Sequence, residues 1–140
     1  QRSPCSEAMS SRTPISNENR RSRRDFVFDR DGDRCVYCEE NQRGPTFLDK
    51  VPIRLTLDHL IPTSKGGRTV RSNLVTCCNR CNNARGDMDI VEWLALLNPR
   101  ESIFGERAVK MVIQAMRSDV REPWEDDVLK RIQAAFSYVR

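Results

Sequence analysis

Apolar positions are scattered over the first half of the chain and become periodic in the last third. Residues 88–97 place Ile90, Val91, Trp93, Leu94 and Leu97 mostly on one side, and Asn98-Pro99 ends the run. Residues 105–117 repeat apolar groups at Val109, Val112, Ile113 and Met116. Residues 123–139 repeat them at Val128, Leu129, Ile132, Ala135, Phe136 and Val139, with Pro123 suited to a first turn. These stripes predict three helices whose apolar sides pack on a core or a partner. Upstream, residues 51–60 read as extended, with β-branched and Leu residues around Pro52. Pro62, Gly66 and Gly67 predict a loop, residues 74–76 a second short strand, and residues 79–86 a short helix stopped at Gly86. Residues 18–30 carry Phe26 and Val27 in an Arg/Asp-rich setting and predict a short helix, halted by Asp31-Gly32-Asp33. Residues 39–50 read as a polar loop around Arg43-Gly44-Pro45. Residues 1–17 are polar, Ser- and Pro-bearing and aperiodic, as expected of a flexible basic arm. No internal repeat is present. The order of elements predicts an α+β fold.

Charge sharpens this picture. The net charge is +4 over 140 residues, unevenly spread. Residues 1–24 hold six arginines against two acids, and residues 54–86 hold six Lys or Arg against the single Asp58. The rest is slightly acidic. Basic zones of this kind are the footprint of a phosphate-binding surface. No apolar run approaches the roughly 20 residues of a membrane span, and no secretory-type apolar core opens the chain. The expectation is a cytoplasmic protein without a membrane partner.

Four of the six cysteines form two C-x-x-C pairs, Cys35/Cys38 and Cys78/Cys81. Such a turn aims two thiolates to one side, at a spacing that tetrahedral zinc accepts. Four sulfurs fill the coordination sphere, so the zinc would be structural. Cys77 adjoins the second pair as an alternative to Cys78, but the C-x-x-C register favours Cys78. Cys5, in the arm, is expected to be free. Metal-binding pairs also favour a reducing compartment over disulfides.

His59 is the only histidine, and it directly follows Asp58 at the end of the first expected strand. Asn73 follows fourteen residues later, and Asn82 stands directly after the last zinc cysteine. Arg85 lies one helical turn beyond Asn82. A zinc that staples the helix to the strands would let Asp58, His59, Asn82 and Arg85 converge. Asp58 and Asn82 offer hard oxygen ligands suited to Mg2+ or Mn2+. Asn83 is the alternative to Asn82 but points about 100° further round the helix. A neutral imidazole can accept a proton from water, and Arg85 can pair with a phosphate. These are the parts needed to hydrolyse a phosphodiester. Lys65, Arg68 and Arg71 flank the loop after His59 and are candidates to track a nucleic-acid backbone.

Asp58-His59-Leu-Ile-Pro62, Gly66-Gly67, Asn73-Leu74 and Cys78-x-x-Cys81-Asn82-x-x-Arg85-Gly86 together resemble the HNH nucleases, in the branch with Asn as third signature residue. Phe28-x-Arg30-Asp31-Gly32-x-Arg34-Cys35-x-Tyr37-Cys38 is similar to the family's zinc knuckle. The resemblance covers about residues 24–87. It implies a ββα-metal core (His-Me finger), a catalytic divalent ion on Asp58 and Asn82, and His59 activating water. It makes Asn73 a supporting catalytic residue that orients the loop, and it accepts Arg85 in its position. It further implies DNA as substrate, with RNA left open, a minor-groove approach by the short helix, and products with 5′-phosphate and 3′-hydroxyl ends.

The expected organisation is therefore an arm over residues 1–17, a nuclease domain over 18–97 and a helical C-terminal extension over 98–140. The extension carries no readable motif. It would pack on the core, form a homodimer or meet a larger partner such as a phage packaging or restriction component. Two rival readings stand beside this one. A zinc-ribbon nucleic-acid-binding module without catalysis explains the cysteines and the basic zones but not Asp58-His59 or Asn82. A toxin-like nuclease delivered to another cell fits the cysteine count less well.

Overall fold

The computed structural model describes residues 13–140, and side chains from residue 22 onward. Among these, the elements run α1 (Thr13–Arg30), β1 (Leu55–His59), β2 (Leu74–Cys78), α2 (Asn79–Arg85), α3 (Ile90–Leu96), α4 (Ile103–Met116) and α5 (Pro123–Ala135), with short 3-10 turns at Thr63–Lys65 and Arg71–Asn73. The fold is α+β, as the residue pattern implies. Helix α1 already includes residues 13–17, which were expected in the arm. Residues 1–12, with Cys5, lie outside the described residues.

β1 and β2 pair antiparallel, with Leu55 opposite Cys78 and His59 opposite Leu74. β2 runs directly into α2, so the centre of the chain is a ββα unit. The first strand is shorter than residues 51–60. Pro52 offers no N–H to a ladder, and Ile53 instead bridges Arg43 in the loop expected to be wholly irregular.

A two-stranded sheet leaves two edges, and α1 closes one of them. Arg30 pairs with Asp31 at 2.9 Å and donates to the Leu74 carbonyl at 2.6 Å. Asp31 accepts the Thr76 N–H at 2.8 Å, and the Val36 N–H donates to the Thr76 carbonyl at 3.0 Å. The Arg-Asp-Gly stretch that stops α1 thus satisfies the outer backbone of β2. Asp33 (φ 56°) and Gly32 (φ 80°) make the turn into the first cysteine pair.

Local chemistry starts each later helix. Asp89 caps α3 by accepting from Val91 and Glu92, and Ser102 caps α4 through the Gly105 N–H. Glu122 and Glu125 form a capping box at α5, with Pro123 in its first turn. One apolar core joins these helices to the sheet, from Cys35 and Tyr37 through Ile53, Leu55 and Val75 to Leu94, Val112, Leu129 and Phe136. α5 ends at Ala135, short of the expected Val139, and Phe136 still buries its ring in the core beyond the helix. No helix among the described residues is long and apolar enough to cross a membrane.

Candidate functional site

The two C-x-x-C turns come together. The sulfurs of Cys35, Cys38, Cys78 and Cys81 all lie within 4.8 Å of one another. Cys38 and Cys78 Sγ are 3.7 Å apart. A tetrahedron with zinc–sulfur bonds of about 2.3 Å has edges of about 3.8 Å, so the spacing fits that ion. Cys77, the alternative ligand, is outside the cluster. Ionisation at Cys35 holds back its neighbours Cys38 and Cys81. Hydrogen bonds from Cys38, Cys77 and Cys81 favour the thiolate at Cys35. The bond to Cys35 then pushes Cys38 up to about 12 and Cys81 upward as well. A second negative charge in this space needs a cation, and a metal ion held by the four sulfurs would supply it.

Between the first two cysteines stands Tyr37, which the motif alone did not mark as functional. Its ring is buried against Trp93, edge to face with centroids 5.5 Å apart. Burial raises its hydroxyl well above the ordinary range, and the Asp58 charge adds to the shift, so it remains a donor. It donates to Asp58 Oδ2 at 2.7 Å.

Asp58 is only 5 % exposed, and Arg85 Nη1 donates to the same Oδ2 at 2.6 Å. Both bonds fall on Oδ2. Oδ1 has no hydrogen bond among the described residues. An inward oxygen held by two donors leaves the other free to bind an ion.

Arg85 departs from its expected role. It was read as a phosphate and nucleic-acid contact, yet its side chain is 0 % exposed. Besides Asp58, its guanidinium donates to the carbonyls of His59, Leu60 and Met88. With every direction spent inside the protein, it cannot reach a phosphate. It neutralises Asp58 from beneath and fixes the end of β1.

Asn82 projects from α2 toward β1. Its Nδ2 donates to Thr56 Oγ1 at 3.0 Å, and Thr56 Oγ1 donates to the Cys77 carbonyl at 2.9 Å. Thr56 and Asp58 are two apart on β1 and share a face. Asn82 is thereby held over the same strand face as Asp58, with its amide nitrogen turned to Thr56. Its Oδ1 has no hydrogen bond among the described residues.

His59 stays half-open, with Nε2 3.0 Å from Thr69 Oγ1. Partial burial lowers its proton affinity below the ordinary value. The nearby charges of Arg23 and Arg85 act in the same direction, and Asp58 opposes them.

The loop from β1 to β2 hangs on Asn73, which is 2 % exposed. Its side chain accepts from the Ile61 N–H at 2.8 Å and donates to the Ile61 and Arg68 carbonyls. All its hydrogen bonds go to backbone, which makes it a support for the loop. Gly67 is required here for space. A Cβ would stand 1.7 Å from the Ile61 carbonyl oxygen and 3.0 Å from Asn73 Nδ2.

The loop cations divide. Lys65 is exposed, with no ion pair among the described residues. Arg68 instead makes a two-pronged pair with buried Glu125 at 2.9 and 2.6 Å. That pair ties the loop to α5 and engages two of the guanidinium nitrogens, while the side chain stays 40 % exposed. Arg71 stacks on Phe26, with its guanidinium carbon 4.2 Å from the ring centre.

Sequence reasoning missed Tyr37, Thr56, Thr69 and Arg23 as members of this neighbourhood. Tyr37 alone carried a usable signal, a hydroxyl inside a metal knuckle that needs a buried partner. Residues 35–89 match a family model described as HNH endonuclease. No curated protein matches the chain.

Proposed function

We propose, from the match of residues 35–89 to the HNH endonuclease family model, that this chain is a divalent-ion-dependent endonuclease hydrolysing phosphodiester bonds in DNA. The observation that carries the reading is the state of Asp58. Its Oδ2 is fixed by Tyr37 and Arg85, its Oδ1 has no hydrogen bond among the described residues, and the next residue is a half-open imidazole.

Asp58 and Asn82 would hold Mg2+ or Mn2+, through a carboxylate and an amide oxygen. When bound, that ion stabilises the negative charge developing around the phosphorus. His59 takes the proton from the attacking water as the new oxygen–phosphorus bond forms and the bond to the deoxyribose 3′ oxygen breaks, that oxygen taking a proton from solvent. Its lowered proton affinity keeps the imidazole neutral at pH 7, ready to accept. In the tautomer with its proton on Nε2, Thr69 accepts from that N–H and the lone pair for this step lies on Nδ1. Asn73 positions the loop behind His59. Cys35, Cys38, Cys78 and Cys81 hold a structural zinc that fixes α2, and with it Asn82, against the strands. Lys65 meets the nucleic-acid backbone.

Nicking of supercoiled plasmid in Mg2+ tests the reading. His59→Ala should cut about 100-fold more slowly or worse, as expected for loss of a general base. Equal cutting by both proteins removes His59 from the mechanism. A parent protein that binds DNA but never cuts it, in Mg2+ or Mn2+, favours the zinc-ribbon binding module.

A further inference from the structure

We propose that Arg23 and Arg71, which line one cleft beside His59, form a subsite for a phosphodiester group of the DNA strand being cut, next to the scissile one. The proposal rests on the nuclease reading above. The cleft has a volume of about 300 Å³ and is lined by Ser22, Arg23, Thr69, Val70, Arg71 and Asp119. Thr69 joins it to the candidate active site, because the same residue bonds His59 Nε2.

Each arginine is placed to receive an anion. Arg23 makes no hydrogen bond or ion pair among the described residues. Arg71 is oriented by its stack on Phe26, which uses the face of the guanidinium and leaves the N–H edge unspent. Its backbone is tied to α1 by Arg30, whose Nη1 donates to the Arg71 carbonyl at 3.1 Å. α1 and the loop therefore present the two cations as one unit. Arg30 itself cannot serve, since Asp31 and the carbonyls of Leu74 and Arg71 occupy it. The one acid on the rim is Asp119, whose Oδ1 accepts the Val120 N–H. Two guanidiniums against one carboxylate leave the cleft positive. The charge of Arg23 is also felt at His59, where it adds to the effect of burial. Arg23 lies upstream of the segment matched by the family model.

The test measures binding of the full chain to a short duplex without added divalent ion, over a range of salt. Arg23→Gln should bind about five- to tenfold more weakly, as for loss of one charge-assisted phosphate contact. Its salt slope should be shallower by about 0.9. Duplexes in which each phosphate in turn is a neutral methylphosphonate locate the contact. One linkage should weaken the parent yet make no difference to Arg23→Gln. Arg71→Gln should lose the same linkage, and zinc content and melting temperature should match the parent in both variants. If the parent cuts plasmid in Mg2+ but Arg23→Gln and Arg71→Gln keep its affinity and slope, the subsite is refuted and the nuclease reading survives. A parent that neither binds nor cuts refutes both.

Discussion

Replacing Tyr37 by Phe removes one oxygen atom and leaves the ring against Trp93, so no cavity opens. What disappears is the 2.7 Å donation to Asp58 Oδ2. A hydrogen bond to a charged group contributes about 1.5–3 kcal/mol. Arg85 still holds Oδ2 at 2.6 Å, so Asp58 keeps its counter-charge and the loss in folding stability should sit at the low end, about 1–2 kcal/mol. The larger effect should be on the geometry of Oδ1. With one donor the carboxylate can turn about its bond to the chain, and the oxygen meant for the ion loses its fixed aim. Comparable partners of metal ligands change ion affinity or activity by about 10–100-fold. Nicking rates measured against Mg2+ concentration should show the half-saturation point moving upward by about that factor. The rate at saturating Mg2+ should fall less. Zinc must be assayed alongside, because Tyr37 lies between two zinc cysteines; it should remain at parent stoichiometry. A Tyr37→Phe protein with full zinc, parental Mg2+ response and parental rate would refute the idea that the knuckle aims Asp58.

Loss of a zinc ligand should act on the whole domain. Structural zinc in finger peptides contributes roughly 10–16 kcal/mol, while domains of this size are stable by about 5–15 kcal/mol, so Cys81→Ser should abolish cooperative thermal unfolding in calorimetry; a sharp parental transition would argue against a zinc-dependent core. Glu125 should make stability pH-dependent. Its hydrogen bonds from Arg68 hold its carboxyl below the ordinary value of 4.5. A lowered folded value stabilises fully above the unfolded one and is lost as pH falls through the folded value. Urea unfolding should show the gap between the parent and Glu125→Gln, which keeps an oxygen for the capping box, constant from pH 7 to about 5 and closing below about 4.5. A gap that stays open in acid would exclude the ion pair as its source.

The parts legible from sequence are those whose chemistry is local. The C-x-x-C turns fix their own geometry, so the cluster could be read from spacing alone, and the helix starts at Asn79 and Pro123 follow from the strand pattern and the proline. Arg85 was misread for a physical reason. An arginine on a short helix normally points to solvent or a ligand, and only the fold shows that three carbonyls and a carboxylate enclose it. The tie from Arg68 to Glu125 was hidden in the same way, since Glu125 lies 57 positions away. The end of α5 had no breaker to mark it. Phe136 leaves helical geometry, with φ −121° and ψ 37°, and its ring remains buried in the core. Tyr37 was visible as a motif letter, but its partner is 21 residues downstream on another element.

In the proposed site, the charge arrangement explains why one carboxylate would be enough. Asp58 carries −1, Asn82 is neutral, and Arg85 carries +1 directly beneath Asp58. Without an ion, the inner pair is balanced and the carboxylate can be buried at tolerable cost. With a divalent ion on the outer face, the sum over these groups is +2. A site built from several carboxylates would bind the ion more tightly but cancel its charge before a phosphate arrived. In the proposed site the surplus would face the substrate, where charge accumulates as the new oxygen–phosphorus bond forms. Burial of Arg85, which removes it as a direct phosphate ligand, would therefore still serve the proposed reaction. It pairs with Asp58 in a nearly closed position, and Tyr37 of the cysteine knuckle supplies the second donor on Oδ2.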